Sequence, residues 1–172
     1  KVSATLVNSF PTRPDGKGNT VPCETWDNAT IFGHVDDDRG GFPIVLKTWR
    51  IAPGHSNTWS VRVLGTKKSA YFSTKNPRQW QFMKYTGGAG VWSVEDLGFQ
   101  SLFPAITGGI FEFGFADAIQ QMWAAFMDEL AGGDANGFGC VTPQEAADHH
   151  AILSAALTAG TTNSVQDVLY FE

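Results

Sequence analysis

The chain has 172 residues and carries 12 Lys and Arg against 17 Asp and Glu, a formal charge of −5. Its length suits one domain with a proper core, and a content of 42% hydrophobic against 17% charged residues excludes a disordered chain. No run approaches the ~18 apolar residues of a membrane span, and the negative balance argues against a nucleic-acid or anionic-membrane surface.

The 13 Phe, 6 Trp and 3 Tyr, beside 19 Gly and 8 Pro, read as a sheet-rich fold with many turns. The chain opens at Lys1, without a methionine or a signal-peptide pattern, directly into a strand over 1–9. That opening points to a fragment or a processed product. Residues 10–25 form a loop rich in Pro, Gly, Asn and Asp. A second strand spans 27–35, Asp36 to Gly41 turn the chain, and a third strand spans 42–52. Residues 53–56 turn again. A fourth strand over 58–65 sets Trp59, Val61 and Val63 on one face against Ser60, Arg62 and Leu64. Further strands cover 69–73 and 79–85, before Gly87, Gly88 and Gly90 break the pattern.

The last third changes period. Phe115, Ile119, Met122, Trp123, Phe126 and Leu130 recur at helical steps, predicting a helix over 116–130 that Gly132 and Gly133 stop. Thr142, Pro143 and Glu145 form a capping signature for a second helix, running to about Ala159 with Gly160 as its left-handed stop. Residues 165–171 complete the chain as a short strand. Strands followed by two helices predict an α+β fold: an open, mostly antiparallel sheet with helices packed on one face. The other aromatic-rich face then requires solvent, a second domain or a partner subunit.

Few constellations carry chemistry. Cys23 and Cys140 lack a C-x-x-C partner and read as reduced, partly buried thiols, with a long-range disulfide as the alternative. Asp36, Asp37 and Asp38 read as a charged turn, since the spacing and distal Glu of a calcium loop are missing. His149 and His150 point about 100° apart on a helix and cannot share an ion. Asn28-Ala29-Thr30 matches a glycosylation acceptor by coincidence. No phosphate-binding glycine loop or nucleophile elbow is present. The segment from Pro53 to Trp59 stands out: His55 and Asn57, two apart at a strand end, supply donors and acceptors suited to polyol hydroxyls. Plain turn chemistry, with Asn57 bonding its own backbone, is the alternative.

The stretch Thr48-Trp-Arg-Ile-Ala-Pro-Gly-His-Ser-Asn-Thr-Trp-Ser-Val-Arg-Val-Leu-Gly-Thr-Lys67 resembles the C-terminal domain of the Gfo/Idh/MocA oxidoreductases, with its Gly-x-x-Asn turn and its strand ending in Gly-Thr. The helix from Gly114 to Phe126, the start at Thr142-Pro-Gln-Glu145, and the opening strand with Arg13 after Pro11 resemble the family's closing helices and first sheet strand. The likeness covers nearly the whole chain. It implies a dihydrodipicolinate-reductase-like α+β domain spanning 1–172, a single substrate-binding and oligomerisation domain without its N-terminal dinucleotide-binding domain. It implies NAD(P)-dependent oxidation or reduction of a sugar, inositol or related polyol, or NAD-dependent glycoside cleavage. The family's Rossmann glycines, its Glu-Lys-Pro lysine and its Asp-x-x-x-His pair have no counterpart here. No catalytic, cofactor-binding or metal residue is therefore assigned. The intact enzyme is expected to use NAD or NADP, and this chain alone to be inactive and to carry no cofactor. His55 and Asn57 match positions lining the family's substrate pocket, with Arg13 and Arg50 as further substrate-binding candidates. The implied partners are a sugar or polyol and further copies of the chain on the open sheet face, without nucleic acid or membrane, in the cytoplasm. The competing reading is a stand-alone carbohydrate-binding or scaffold module that stacks sugars on Trp26, Trp80 and Trp92.

Overall fold

The computed structural model describes residues 1–88, 90–98 and 101–170. In chain order the elements are strands β1 (Val2–Val7), β2 (Thr12–Pro14), β3 (Thr20–Pro22), β4 (Asn28–Val35), β5 (Phe42–Trp49), β6 (Ser60–Leu64), β7 (Lys68–Ser73), β8 (Gln79–Lys84) and β9 (Ser93–Asp96). A 3-10 turn at Gly108–Ile110, helix α1 (Phe115–Leu130), a 3-10 turn at Ala135–Gly137 and helix α2 (Pro143–Thr162) follow. The fold is α+β, with all strand pairs antiparallel. The chain divides into two compact units: Lys1–Gly54 with Val141–Glu172, and His55–Cys140.

In the first unit, β4 lies between β1 and β5, with Ala4 opposite Ile31 and Ile31 opposite Leu46. The period of two then puts Ala4, Ile31 and Leu46 on one face and Phe32 and Val45 on the other. Helix α2 packs on β1, and the core is Val2, Ile31 and Ala156, flanked by Ala4, Ala155 and Val168. Alanines 151, 156 and 159 are buried and let the helix approach closely. On the opposite face Phe32, Val45 and Trp49 remain about half exposed.

The start of α2 follows the sequence. Thr142 Oγ1 accepts from Glu145 N at 3.2 Å, Glu145 Oε2 accepts from Thr142 N at 2.8 Å, and Pro143 occupies the first turn. Its end does not. The helix runs through Gly160 to Thr162, and Asn163 takes the left-handed stop at φ 50°. Gly160 is instead a packing glycine: a Cβ there would lie 2.5 Å from Leu6 Cγ. The predicted strand over 165–171 is reduced to one bridge between Val2 and Gln166, with position 171 outside the described residues. The predicted loop over 10–25 contains the short hairpin β2–β3, whose turn is tied by Asp15 Oδ1 accepting from Lys17 N and Asn19 N.

The second unit holds the meander β6-β7-β8-β9. Val61, Phe72 and Trp80 form one cross-strand row, and Val63, Ala70 and Phe82 the next. Strand β9, Ser-Val-Glu-Asp, has a single apolar residue, so alternation cannot reveal it. Helix α1 spans the predicted range, opened by Gly114 N donating to Asp117 Oδ2 at 2.8 Å and closed at Gly132 with φ 90°. Each residue of its apolar stripe stays at least 42% exposed, and Ala125 alone in the helix is buried.

Candidate functional site

The turn after β5 is built by two left-handed residues, Gly54 (φ 85°) and Asn57 (φ 49°). Asn is among the few residue types that tolerate this backbone, so Asn57 serves the turn through its main chain. Its side chain is exposed, as is that of His55, and neither makes a hydrogen bond with the described residues. The alternative in which Asn57 bonds its own backbone is thus not what the side chain does. An imidazole and an amide stand open beside each other in sequence, together offering donors and acceptors to a ligand. The turn's exit is pinned to the end of β7: Trp59 N donates to Thr74 Oγ1 at 2.9 Å, and Thr74 N to Trp59 O at 2.9 Å.

Arg13 and Arg50 lie in the first unit and meet at one residue. Asp27 is 3% exposed, and its carboxylate accepts from Ser9 N at 2.8 Å, from Phe10 N at 3.0 Å and from the Arg13 guanidinium in an ion pair. Its main-chain oxygen accepts from Arg50 N at 2.8 Å. The Arg50 side chain is exposed and unbonded among the described residues. Arg13 is more committed: beyond Asp27, its Nε donates to Cys23 Sγ at 3.1 Å. Buried ionised groups need such partners, so Asp27 gathers the end of β1, the β2 strand and the start of β4 around one carboxylate.

Next to it, the side chain of Asn28 grips the main chain of Ile51 from both sides. Its Oδ1 accepts from Ile51 N at 3.0 Å and its Nδ2 donates to Ile51 O at 3.2 Å. Sequence reasoning assigns neither Asp27 nor Asn28 a part in the site, and Asn28 stands out only through the Asn-Ala-Thr pattern. An Asx pair at the first residues of a strand, where side chains can replace missing ladder partners, is the signal that could have found them.

The two thiols are unpaired and half-buried. Bonds from Thr25, and then from Arg13, hold the Cys23 thiol below its ordinary range, whereas burial and the Glu129 carboxylate push Cys140 up. Among the described residues no group of His, Cys, Asp and Glu is placed to hold a metal ion. No described helix is long and apolar enough to cross a membrane. The second unit has a cavity of about 190 Å3 lined by Leu102, Phe103, Phe113, Phe138 and Gln121. Gln121 spends both ends of its amide on Phe103, accepting from its N at 2.8 Å and donating to its O at 2.9 Å. The lining is mainly apolar, and this amide is taken, which suits packing better than a polyol. Of the three tryptophans weighed for sugar stacking, Trp26 and Trp92 are partly exposed, while Trp80 stacks on Phe82 and donates its Nε1 to Glu95 at 2.8 Å.

No family model and no curated protein matches the chain. Solved structures do. A levoglucosan dehydrogenase in complex with NADH superposes with TM-score 0.76 at 18% identity, covering 99% of this chain and 45% of that one. An oxidoreductase domain protein from Kribbella flavida gives 0.74 at 18%, covering 98% and 44%. A super-repressor mutant of Gal80p from Saccharomyces cerevisiae gives 0.60 at 18%, covering 97% and 43%. These neighbours are oxidoreductases and relatives of the Gfo/Idh/MocA type, and the α+β fold of this chain is that of their C-terminal domain. The chain spans less than half the length of the structures it matches.

Proposed function

We propose that the chain is the substrate-binding and oligomerisation domain of an NAD(P)-dependent oxidoreductase acting on a sugar, inositol or related polyol. The observation that carries this is the whole-chain match to levoglucosan dehydrogenase, described both with NADH and levoglucosan and with NADH and L-sorbose. Fold alone does not assign chemistry, so the reading also rests on the Pro53–Trp59 turn. There His55 and Asn57 hold unengaged polar groups in a segment resembling the family's substrate turn.

The work assigned to these residues is binding and orientation. His55 donates to or accepts from one sugar hydroxyl, and Asn57 satisfies a neighbouring one through its amide. Arg50 offers an exposed cation. Arg13 reaches substrate only through the guanidinium nitrogen left over from Asp27 and Cys23. NAD or NADP, bound by the intact enzyme, supplies the hydride acceptor. Subunit association is assigned to the outer face of β1–β4–β5, where Phe32, Val45 and Trp49 stay half exposed.

A second reading, a binding module without catalysis, is favoured by the occurrence of the same fold in a protein described as a super-repressor. One experiment separates the two. The chain and the longer protein containing it are titrated with NADH and NADPH by fluorescence, then assayed for NAD(P)H formation with levoglucosan, L-sorbose and inositol. Cofactor binding by the longer protein alone, with turnover of a polyol, supports the oxidoreductase domain. Sugar binding without cofactor binding or turnover supports the module.

A further inference from the structure

The turn that bears His55 and Asn57 has to leave the β4–β5 ladder in a defined direction, and the ladder itself stops short. The last pair is Asn28 with Trp49. Beyond it, Arg50 N still finds Asp27 O at 2.8 Å. Among the described residues Ile51 finds no strand partner, and both of its main-chain groups go to the Asn28 side chain, at 3.0 and 3.2 Å. A carboxamide has the donor and acceptor pair of a peptide group, so one side chain replaces one residue of a missing strand. The two bonds together fix orientation as well as distance, because a carboxamide is planar. Ile51 lies four residues before His55, and Pro53 stands between them, further limiting the backbone.

We infer that Asn28 is a positioning residue for the substrate turn: its two-way grip on Ile51 extends the sheet by one residue and fixes the main chain that leads into Pro53 and Gly54, the first residues of that turn. The inference deepens the proposed function and rests on it. Asn28 acts through Ile51 and is assigned no part in contacting substrate. Its amide is consumed by the clamp, which also gives the Asn28-Ala29-Thr30 tripeptide a structural purpose.

The test compares the parent with Asn28→Ala and Asn28→Gln, the latter keeping the amide on a longer arm. Amide hydrogen exchange is measured on the chain at Ile51, Ala52 and Gly54, with Ile31 and Leu46 as internal controls for global unfolding. kcat/KM for the sugar and KM for the cofactor are measured on the longer enzyme. The expected result is exchange at Ile51 faster by at least about tenfold in Asn28→Ala with the controls unmoved. Sugar kcat/KM falls by about tenfold, cofactor KM is unchanged, and Asn28→Gln recovers part of both losses. Unaltered exchange at Ile51 overturns the clamp, whatever the enzyme does. Faster exchange with unaltered sugar kcat/KM overturns the positioning role, as does a parallel loss for sugar and cofactor. A parent enzyme that turns over no polyol overturns the functional reading and the substrate half of the inference, while exchange still decides the clamp separately.

Discussion

Replacing Asp27 by alanine should be among the more damaging single changes in the first unit. The carboxylate is buried and accepts from Ser9 N, Phe10 N and the Arg13 guanidinium. Hydrogen bonds to a charged group contribute about 1.5–3 kcal/mol each and do not add. Removing one partner of a buried pair costs about 3–5 kcal/mol. The Arg13 side chain is 25% exposed, so the freed guanidinium can turn towards water and the cost falls at the low end. Asp27→Ala should therefore lose about 3 kcal/mol, or about 6–12 °C in Tm for a chain of this size. Arg13→Ala keeps the two amide bonds but leaves the buried carboxylate without its cation, so it should lose a comparable amount, about 3 kcal/mol. On the Asp27→Ala background, Arg13→Ala should add less than about 0.5 kcal/mol, because its partner is already gone. Urea unfolding of the four proteins, followed by tryptophan fluorescence, measures all three quantities. A loss below about 1 kcal/mol for either single variant, or full additivity in the double, would refute the picture of Asp27 as the hub.

Gly160→Ala runs against helix propensity. Alanine should gain about 1 kcal/mol inside α2, yet its Cβ would meet Leu6 Cγ at 2.5 Å, and overpacking of this kind costs about 1–3 kcal/mol. A net loss in thermal unfolding, relieved by Leu6→Ala, is expected, and a net gain would show that Leu6 yields freely. At neutral pH iodoacetamide should alkylate Cys23 before Cys140, since Thr25 and Arg13 favour the Cys23 thiolate while burial and Glu129 disfavour that of Cys140. Peptide mapping by mass spectrometry reads the order, and equal rates would contradict it. The Glu145 carboxyl is held below its ordinary value by the Thr142 main chain and hydroxyl. The cap's contribution is therefore fully present above the unfolded Glu value and is lost as pH falls through the lowered folded one. Parent and Glu145→Ala should differ in thermal stability near neutrality and converge in acid; a gap that is constant with pH would exclude the ionised cap.

The parts of this fold that show in the sequence are those with a period. Ile31 and Phe32 form the apolar centre of the second strand, which lies where its apolar run and the turn after it put it. The Phe115–Leu130 stripe gives α1, and Thr142-Pro143-Glu145 gives the start of α2. Elements too short for a period are hidden: β2 and β3 have three residues each, and β9 has one apolar side chain. Gly160 misleads because glycine serves both as a left-handed stop and as a site of close approach, and the requirement of Leu6 is tertiary. The site follows the same division. His55 and Asn57 are visible as polar residues on a turn, but the engagement of Arg13 depends on Asp27 and Cys23, which lie on other segments. Asn28 resembles a glycosylation acceptor until its partner Ile51 is known. The helix stripe carries a further lesson: amphipathic spacing locates the apolar face of α1, but not what covers it.

The most direct test of the central claim is NAD(P)H formation, followed by absorbance, by the full-length protein. It is offered a panel of pyranoses, anhydrosugars and inositols, as parent and as His55→Ala. The account predicts reduction of NAD or NADP by at least one of these polyols. His55→Ala should lower kcat/KM for that polyol by about tenfold to a hundredfold, as the loss of one or two substrate hydrogen bonds would, with cofactor KM unchanged. Turnover of no polyol, or a variant indistinguishable from the parent, would contradict it.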